Sequence, residues 1–326
     1  MRIAAYQFAV TGDMVENFEK IKNAILLAKK NAVQLLVFPE CALTGYPPRD
    51  IKSSSEVRFD LVEDCCKKLQ ELSDETGIAL LVGTIYRTDQ IYNRAILFQP
   101  NQPVWFYDKR ALWGWDREHF AQGSCDGIFE IAGISVGVRI CFEVRFPEYF
   151  RELYARKTDL NVVLFYDVSD VDDTGRYDLI KGHLQTRAVE NVSTIVSVDS
   201  IHPYQTAPTA VFGKSGQILK ECTRNQPELL IYDFEKTEDD FGEMGRRRIS
   251  DTLFFRRKVN KNNDIKYRYG FCLVAIQRYL VSFFCFRRKG MRNKKENTPD
   301  LTEARCPAGL GVFCVPYLTR FPAHAA

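Results

Sequence analysis

From its second residue to about residue 234 the chain alternates short, almost wholly apolar runs with longer segments whose apolar residues recur every third or fourth position. The runs include "VQLLVF", "IALLVGTIY", "ISVGVRI", "LNVVLFY" and "STIVSV". A strand apolar on both faces has to be covered on both, by helices or by helices on one side and a second sheet on the other. The segments between the runs have the helical period that such cover requires, so the class is α/β.

Individual segments carry their own punctuation. "DMVENFEKIKNAILLAKKN" opens with Asp13 and Glu16 at capping-box spacing and lays Met14, Phe18, Ile21, Ile25 and Ala28 along one face. A second helix, about 56 to 76, puts Val57, Leu61, Cys65, Leu69 and Leu72 on one stripe and stops at Gly77. Further strands are predicted at "RAILFQ", "PVWFYD" and "IFEIA", then helices near 145 to 157 and 178 to 191, and short strands at 208 to 212, 217 to 221 and 229 to 234. There is no internal repeat.

At 326 residues and 45% hydrophobic, the chain can bury a substantial core. Its charge is unevenly placed: residues 256 to 326 hold 15 Lys and Arg against 4 Asp and Glu, and residues 1 to 255 hold 30 against 38. We therefore expect a domain over 1 to 255 and a basic C-terminal tail over 256 to 326, outside the core fold. The tail's apolar run, 270 to 286, is short for a membrane span and is broken by Gln277 and Arg278. Neither a membrane nor a nucleic acid is predicted as a partner, because the tail's aromatics form one block and are not interleaved with its charges. The N-terminus has the pattern of neither a signal nor a transit peptide, and a cytoplasmic body with free thiols is expected.

Several familiar sites are excluded. "GKS" at 213 to 215 resembles the end of a phosphate-binding loop, but the earlier glycine that loop needs is Pro208, which has no amide hydrogen. "GKSG" is better read as a turn between strands. No GxGxxG follows the first strand. Of the ten cysteines, the six in the domain at 41, 65, 66, 125, 141 and 222 form no CxxC pair, and the four histidines show no metal spacing, so no cofactor and no metal are expected. Asn191-Val192-Ser193 matches a glycosylation sequon, without the secretory signal that would give it an opportunity.

Three segments deliver reactive groups at the ends of strands, where α/β proteins collect their chemistry. "LLVFPECALTGYPPRD" ends a strand at Glu40, "FYDKRALWGWDREHF" ends one at Lys109, and "GISVGVRICFEVRFPE" ends one at Cys141. Taken singly, each has an ordinary reading as a loop charge, a surface lysine and a core cysteine. Together, "FPECALTGY", "DKRALW" and "RICFEVRFPE" resemble, in order and separation, the glutamate, lysine and cysteine motifs of the nitrilase, or carbon-nitrogen hydrolase, superfamily. The resemblance runs over residues 1 to about 255 and includes "RAVENVSTIVSV" and "TAPTAVFGKSGQILKE".

The resemblance implies a four-layer αββα sandwich, commonly assembled as a homodimer or larger homo-oligomer. It also implies that Glu40 is the general base for a Cys141 nucleophile and that Lys109 and the backbone amide of Phe142 stabilise the oxyanion. A second acid between the lysine and cysteine motifs falls best on Glu118, with Asp116 as competitor because Glu118 stands one residue further from Lys109 than expected. Trp113 and Trp115 would wall the pocket or fill core. Arg139, Glu143 and Arg145 are expected to form supporting ion pairs around the thiol. The substrate implied is a small linear amide or N-carbamoyl compound, ahead of a nitrile. A glutaminase-like supplier of ammonia to a synthetase, suggested by "LTGYPPRD", and a silent binding scaffold are the alternatives.

Overall fold

Each apolar run predicted to be a strand is one, and the runs assemble into two sheets. The computed structural model describes residues 1–255. In chain order the first half is β1 (Arg2–Gln7), α1 (Met14–Lys30), β2 (Leu35–Val37), α2 (Phe59–Thr76), β3 (Ala79–Arg87), β4 (Ile91–Phe98), β5 (Trp105–Asp108) and the short α3 (Trp115–His119). The second half is β6 (Ile128–Ile131), β7 (Ile134–Ile140), α4 (Pro147–Ala155), β8 (Leu160–Leu164), β9 (Val168–Ser169), α5 (Thr174–Asn191), β10 (Thr194–Val198), β11 (Tyr204–Gln205), β12 (Ala210–Phe212), β13 (Ile218–Glu221), β14 (Glu228–Asp233) and α6 (Phe241–Phe255).

One six-stranded sheet has the order β14-β1-β2-β3-β4-β5, and the other the order β13-β12-β10-β8-β7-β6. Strands β1, β2 and β3 are mutually parallel, as are β7, β8 and β10, and antiparallel strands flank both groups. The alternation of side chains along each strand divides the core into layers. Ile3, Leu35 and Leu81 of the first sheet meet Val138, Val162 and Val196 of the second in one buried cluster between the sheets. The opposite face of the first sheet packs Leu36 and Leu80 against Ile21 and Ile25 of α1 and Val62 and Leu69 of α2. The opposite face of the second packs Val163 and Ile195 against Phe150 of α4 and Ile180 and Leu184 of α5. The architecture is the four-layer αββα sandwich.

Helix boundaries differ from the sequence expectation where polar residues hide the period. Asp13 caps α1 by accepting from the amides of Val15 and Glu16, but Glu16 turns instead to Lys20, 2.7 Å away, so the reciprocal capping box does not form. Helix α5 starts at Thr174, capped by Asp173, a full turn before its apolar face begins. Gly77 ends α2 in the left-handed conformation, as predicted. "GKSG" is a turn between β12 and β13, closed by a hydrogen bond from the Gly213 amide to the Gln217 carbonyl. Helix α6 has no counterpart in the sequence expectation. Among the described residues no helix is long and apolar enough to cross a membrane. The predicted tail, 256 to 326, lies outside the described residues.

Candidate active site

Strands β2, β5, β7 and β8 end at one edge of the sandwich, and the segments leaving them converge. The segment after β2 carries Glu40 and packs so closely on β3 that a Cβ on Gly83 would lie 2.2 Å from the Pro39 carbonyl oxygen and 2.7 Å from the Cys41 nitrogen. Only a glycine allows that approach, and it fixes the height at which Glu40 leaves the sheet. Lys109 follows β5 directly. Cys141 follows β7, at φ +46°, and starts a single 3-10 turn, Cys141–Arg145. A non-glycine residue in this region costs about 1–3 kcal/mol and is held there only when its surroundings over-determine it.

Glu143 is a large part of those surroundings. It is fully buried, and its carboxylate accepts from the Ile140 amide at 2.8 Å, the Arg110 amide at 2.7 Å and the Tyr107 hydroxyl at 2.8 Å. One side chain thereby ties the residue before Cys141 to the residue after Lys109. Of the ion pairs expected of Arg139, Glu143 and Arg145, one between Arg139 and Glu152 forms, and among the described residues Glu143 and Arg145 form none. Arg139, also fully buried, donates to the carbonyls of Tyr149, Asp126 and Val138 and reaches Glu152 at 3.3 Å.

The charged centre is a set of three groups with the ammonium in the middle. Lys109 Nζ lies 2.8 Å from Glu40 Oε1 and 2.7 Å from Asp116 Oδ2, and all three residues are at least 95% buried. Glu40 is further held by the Asn93 side-chain amide at 2.7 Å on Oε1 and by the Tyr166 backbone amide at 2.9 Å on Oε2. Tyr46 donates its hydroxyl to Asp116 Oδ1 at 2.5 Å and stacks on Tyr166 with ring centroids 4.9 Å apart.

These surroundings set protonation. Burial pushes the Glu40 carboxyl above its ordinary value, against the pull of Lys109. Burial opposes the Lys109 ammonium, yet Glu40, Tyr46 and Asp116 outweigh it and hold its pKa well above the usual lysine value. Burial also raises Cys141 well above the usual thiol value; the Glu40 charge adds to this and Lys109 opposes it. These directions favour a protonated thiol and a charged ammonium, so the thiol must lose its proton as it reacts.

Cys141, Lys109, Asp116, Phe142, Tyr166 and Asp167 all line a cavity of about 690 Å3, a size suited to a small organic molecule. The structure thus brings Lys109 and Cys141 to one cavity, with Glu40 held behind it against Lys109. It does not bring Glu118 there: the side chain is exposed, and Asp116 occupies the position beside Lys109 assigned to it. The cause is helical geometry, since residues two apart on α3 point to opposite sides and only one can face the lysine. Trp113 lines the cavity while remaining 71% exposed, so it forms part of the rim. Trp115 does not line it; its ring stacks on His119 at 3.9 Å and packs edge-on to Phe120 over the core. Asn93, Tyr46 and Tyr166 were missed by sequence reasoning. None of the three left a trace: Asn93 stands beside Arg94 at the polar start of β4, before the apolar run that marked the strand. Among the described residues no group of His, Cys, Asp and Glu could hold a metal ion.

Comparison with known proteins identifies the family. A sequence model of the family described as carbon-nitrogen hydrolase matches residues 2–238. The chain is 29% identical over 195 residues to a 2-oxoglutaramate amidase of Bacillus subtilis, covering 58% of this chain and 72% of that one. It is 30% identical over 155 residues to a glutamine-dependent NAD(+) synthetase of Thermotoga maritima, covering 45% of this chain and 26% of that one. The match spans about a quarter to a half of the length of such synthetases and just over half of a nitrilase of Pyrococcus abyssi. Among solved structures, an amidase from Nesterenkonia sp. superposes with a TM-score of 0.64 at 28% identity, covering 76% of this chain and 96% of that one. Another structure of that amidase records addition of acrylamide at its active-site cysteine.

Proposed function

The chain belongs to the carbon-nitrogen hydrolase family, and from that premise we propose that it hydrolyses a small linear amide or N-carbamoyl compound through a thioester on Cys141. The observation that carries this reading is the buried Glu40–Lys109–Asp116 set, of which Lys109 and Asp116 line one cavity together with a strained cysteine.

In this mechanism Glu40 takes the thiol proton as Cys141 Sγ bonds to the carbonyl carbon, and the carbonyl π electrons move onto oxygen. The Lys109 ammonium and the Phe142 backbone amide stabilise that oxyanion, and Asp116 holds Lys109 in place. The intermediate collapses by breaking the carbon-nitrogen bond, and the departing nitrogen takes the proton from Glu40. Water then gives a proton to Glu40 as it attacks the thioester, and Sγ leaves and recovers a proton. The balance of charge suits these steps, because two carboxylates flank one ammonium. Burial raises Glu40 toward the proton it must accept, and against burial the charges of Glu40, Tyr46 and Asp116 raise Lys109.

Cys141→Ala should abolish ammonia release from a panel of ω-amides, carbamoyl amino acids and glutamine. Cys65→Ala and Cys66→Ala, on α2 away from the cavity, should not. Equal turnover by Cys141→Ala and the parent would end the hydrolase reading, and failure of an electrophilic amide analogue to label Cys141 would favour a silent scaffold. The similarity to part of the glutamine-dependent NAD(+) synthetases supports a second reading, in which the domain supplies ammonia to a synthetase. Glutamine hydrolysis that appears only with such a partner present would favour it.

A further inference from the structure

Asn93 holds two parts of the charged centre at once. Its backbone carbonyl accepts from the Lys109 amide at 2.9 Å, and its side-chain Nδ2 donates to Glu40 Oε1 at 2.7 Å. It is 1% exposed and lies in β4 opposite Ile85 of β3, so a paired strand carries it. Its remaining side-chain atom, Oδ1, accepts from Cys41 Sγ at 3.8 Å. Cys41 is fully buried, does not line the cavity, and follows Glu40 directly at φ +51°. A non-glycine residue keeps such a backbone only where its neighbours hold it there.

This order of donors fixes the way the amide faces. Turned over, Asn93 would set its oxygen against the Glu40 carboxylate and its NH2 against a thiol, which accepts hydrogen bonds weakly. The same order decides which oxygen of Glu40 is open, since each carboxylate oxygen accepts about two hydrogen bonds. Oε1 already receives Lys109 Nζ at 2.8 Å and Asn93 Nδ2, whereas among the described residues Oε2 receives the Tyr166 amide alone, at 2.9 Å. The titratable groups that face Glu40 are Lys109 after β5, Asp116 on α3, Tyr46 and Cys41 after β2, and Cys141 after β7. Next to burial, the Glu40 charge is what raises Cys141 most, so carboxylate and thiol lie within electrostatic reach.

We propose that Asn93, oriented by Cys41, is a positioning residue for the base: together with Lys109 it occupies Oε1, so that Glu40 takes the Cys141 proton on Oε2. This rests on the hydrolase reading above and deepens its first step. There the S–H bond breaks, an O–H bond forms at Oε2, the sulfur electron pair bonds to the carbonyl carbon, and the carbonyl π electrons move onto oxygen. Neither Asn93 nor Cys41 touches the reacting atoms. Cys41 acts as a hydrogen-bond donor, not as a second nucleophile.

Asn93→Ala removes the donor and keeps every charge around Glu40. Its kcat should fall about tenfold to a hundredfold, the range for one hydrogen bond to a charged group, with KM little changed. Burial raises Glu40, and Lys109 and Asn93 are among the groups that lower it, so the acid limb of kcat/KM should move to higher pH. A residue that merely fills space would leave that limb where it is. Cys41→Ala should move the limb the same way by less, and Cys41→Ser, which keeps a donor, should restore most of the loss. Added to Asn93→Ala, Cys41→Ala should have no further effect, because it acts through Asn93. An acid limb that Asn93→Ala leaves unmoved, or a Cys41→Ala effect that adds in full to that of Asn93→Ala, overturns the proposal. The rate at which iodoacetamide alkylates Cys141, followed by peptide mass against pH, reports the same base without turnover. A parent that releases no ammonia, with an alkylation limb that rises in Asn93→Ala, would remove the hydrolase and leave the positioning role standing. Turnover by the parent with both limbs unmoved in Asn93→Ala would do the reverse. If Asn93→Ala does not fold, the Cys41 pair decides the matter: parental kcat and an unmoved limb in Cys41→Ala overturn the proposal.

Discussion

Exchanging Asp116 for Asn removes a charge and little else. The side chain keeps its size and an acceptor oxygen, so the hydrogen bond from Tyr46 can persist while the ion pair with Lys109, 2.7 Å long and almost wholly buried, is lost. A hydrogen bond to a charged group contributes about 1.5–3 kcal/mol, and the remaining Lys109–Glu40 pair is then less well oriented. At about 1.36 kcal/mol per factor of ten, kcat should fall about tenfold to 150-fold. A second effect adds to this. Asp116 is one of the charges that raise Glu40, so neutralising it makes Glu40 a weaker base. Because both effects act on the developing charges of the transition state, the loss should appear in kcat more than in KM.

Glu118→Gln is the control on the same short helix. Its side chain is exposed, and surface substitutions of this kind usually stay within about 0.5 kcal/mol, so its kcat should lie within about twofold of the parent. Steady-state ammonia release gives kcat and KM for both variants, and a thermal melt of each shows that the fold is retained. A collapse of kcat in Glu118→Gln with near-parent activity in Asp116→Asn would refute this reasoning and return the second acid to position 118.

Lys109→Ala should lower kcat by roughly a hundredfold or more, as loss of an oxyanion donor does elsewhere. Burial raises the pKa of Glu40 and Lys109 lowers it, with a net rise, so the acid limb of the parent kcat/KM profile should lie above the ordinary carboxylate value of about 4.3; the residual activity of Lys109→Ala should have its limb at higher pH still, and a shift to lower pH would contradict the assigned signs. Glu143→Ala leaves two buried donors and one part-buried donor without an acceptor, at about 1–3 kcal/mol for each buried one, so it should lower the melting temperature markedly and reduce Cys141 labelling even at temperatures where the chain is folded. A chain ending at residue 255 should keep its turnover and melting behaviour, because the charge and composition of 256 to 326 set that segment apart from the domain; unfolding or loss of activity on truncation would place it in the fold.

What the sequence made legible was whatever repeats at a fixed period or ends abruptly. Buried strands announce themselves because both faces are apolar, and Gly77 because few other residues stop a helix at positive φ. Helix α6 gave no such sign. It contains Gly242, Gly245 and three consecutive arginines, it exposes Phe241, Met244, Ile249 and Leu253, and it is held largely by polar contacts such as Arg247 to Asp239 at 2.5 Å. A helix secured by polar contacts to the loops around it has no reason to show an apolar stripe.

The same distinction governs the site. Glu40, Lys109 and Cys141 could be found because each sits where a strand stops, whereas the partners that set their charge come from elsewhere: Asn93 from within a strand, Tyr46 from a loop, and the Tyr166 amide from a backbone group that any residue could provide. The choice between Asp116 and Glu118 did leave a trace. Phe120 is an apolar residue four positions after Asp116 and therefore shares its face of a helix, while Glu118 falls on the other side. Phe120 is 5% exposed and packs in the core, which turns Asp116 inward with it. Reading the acid by its apolar neighbour on the same face, instead of by its distance along the chain from Lys109, selects Asp116.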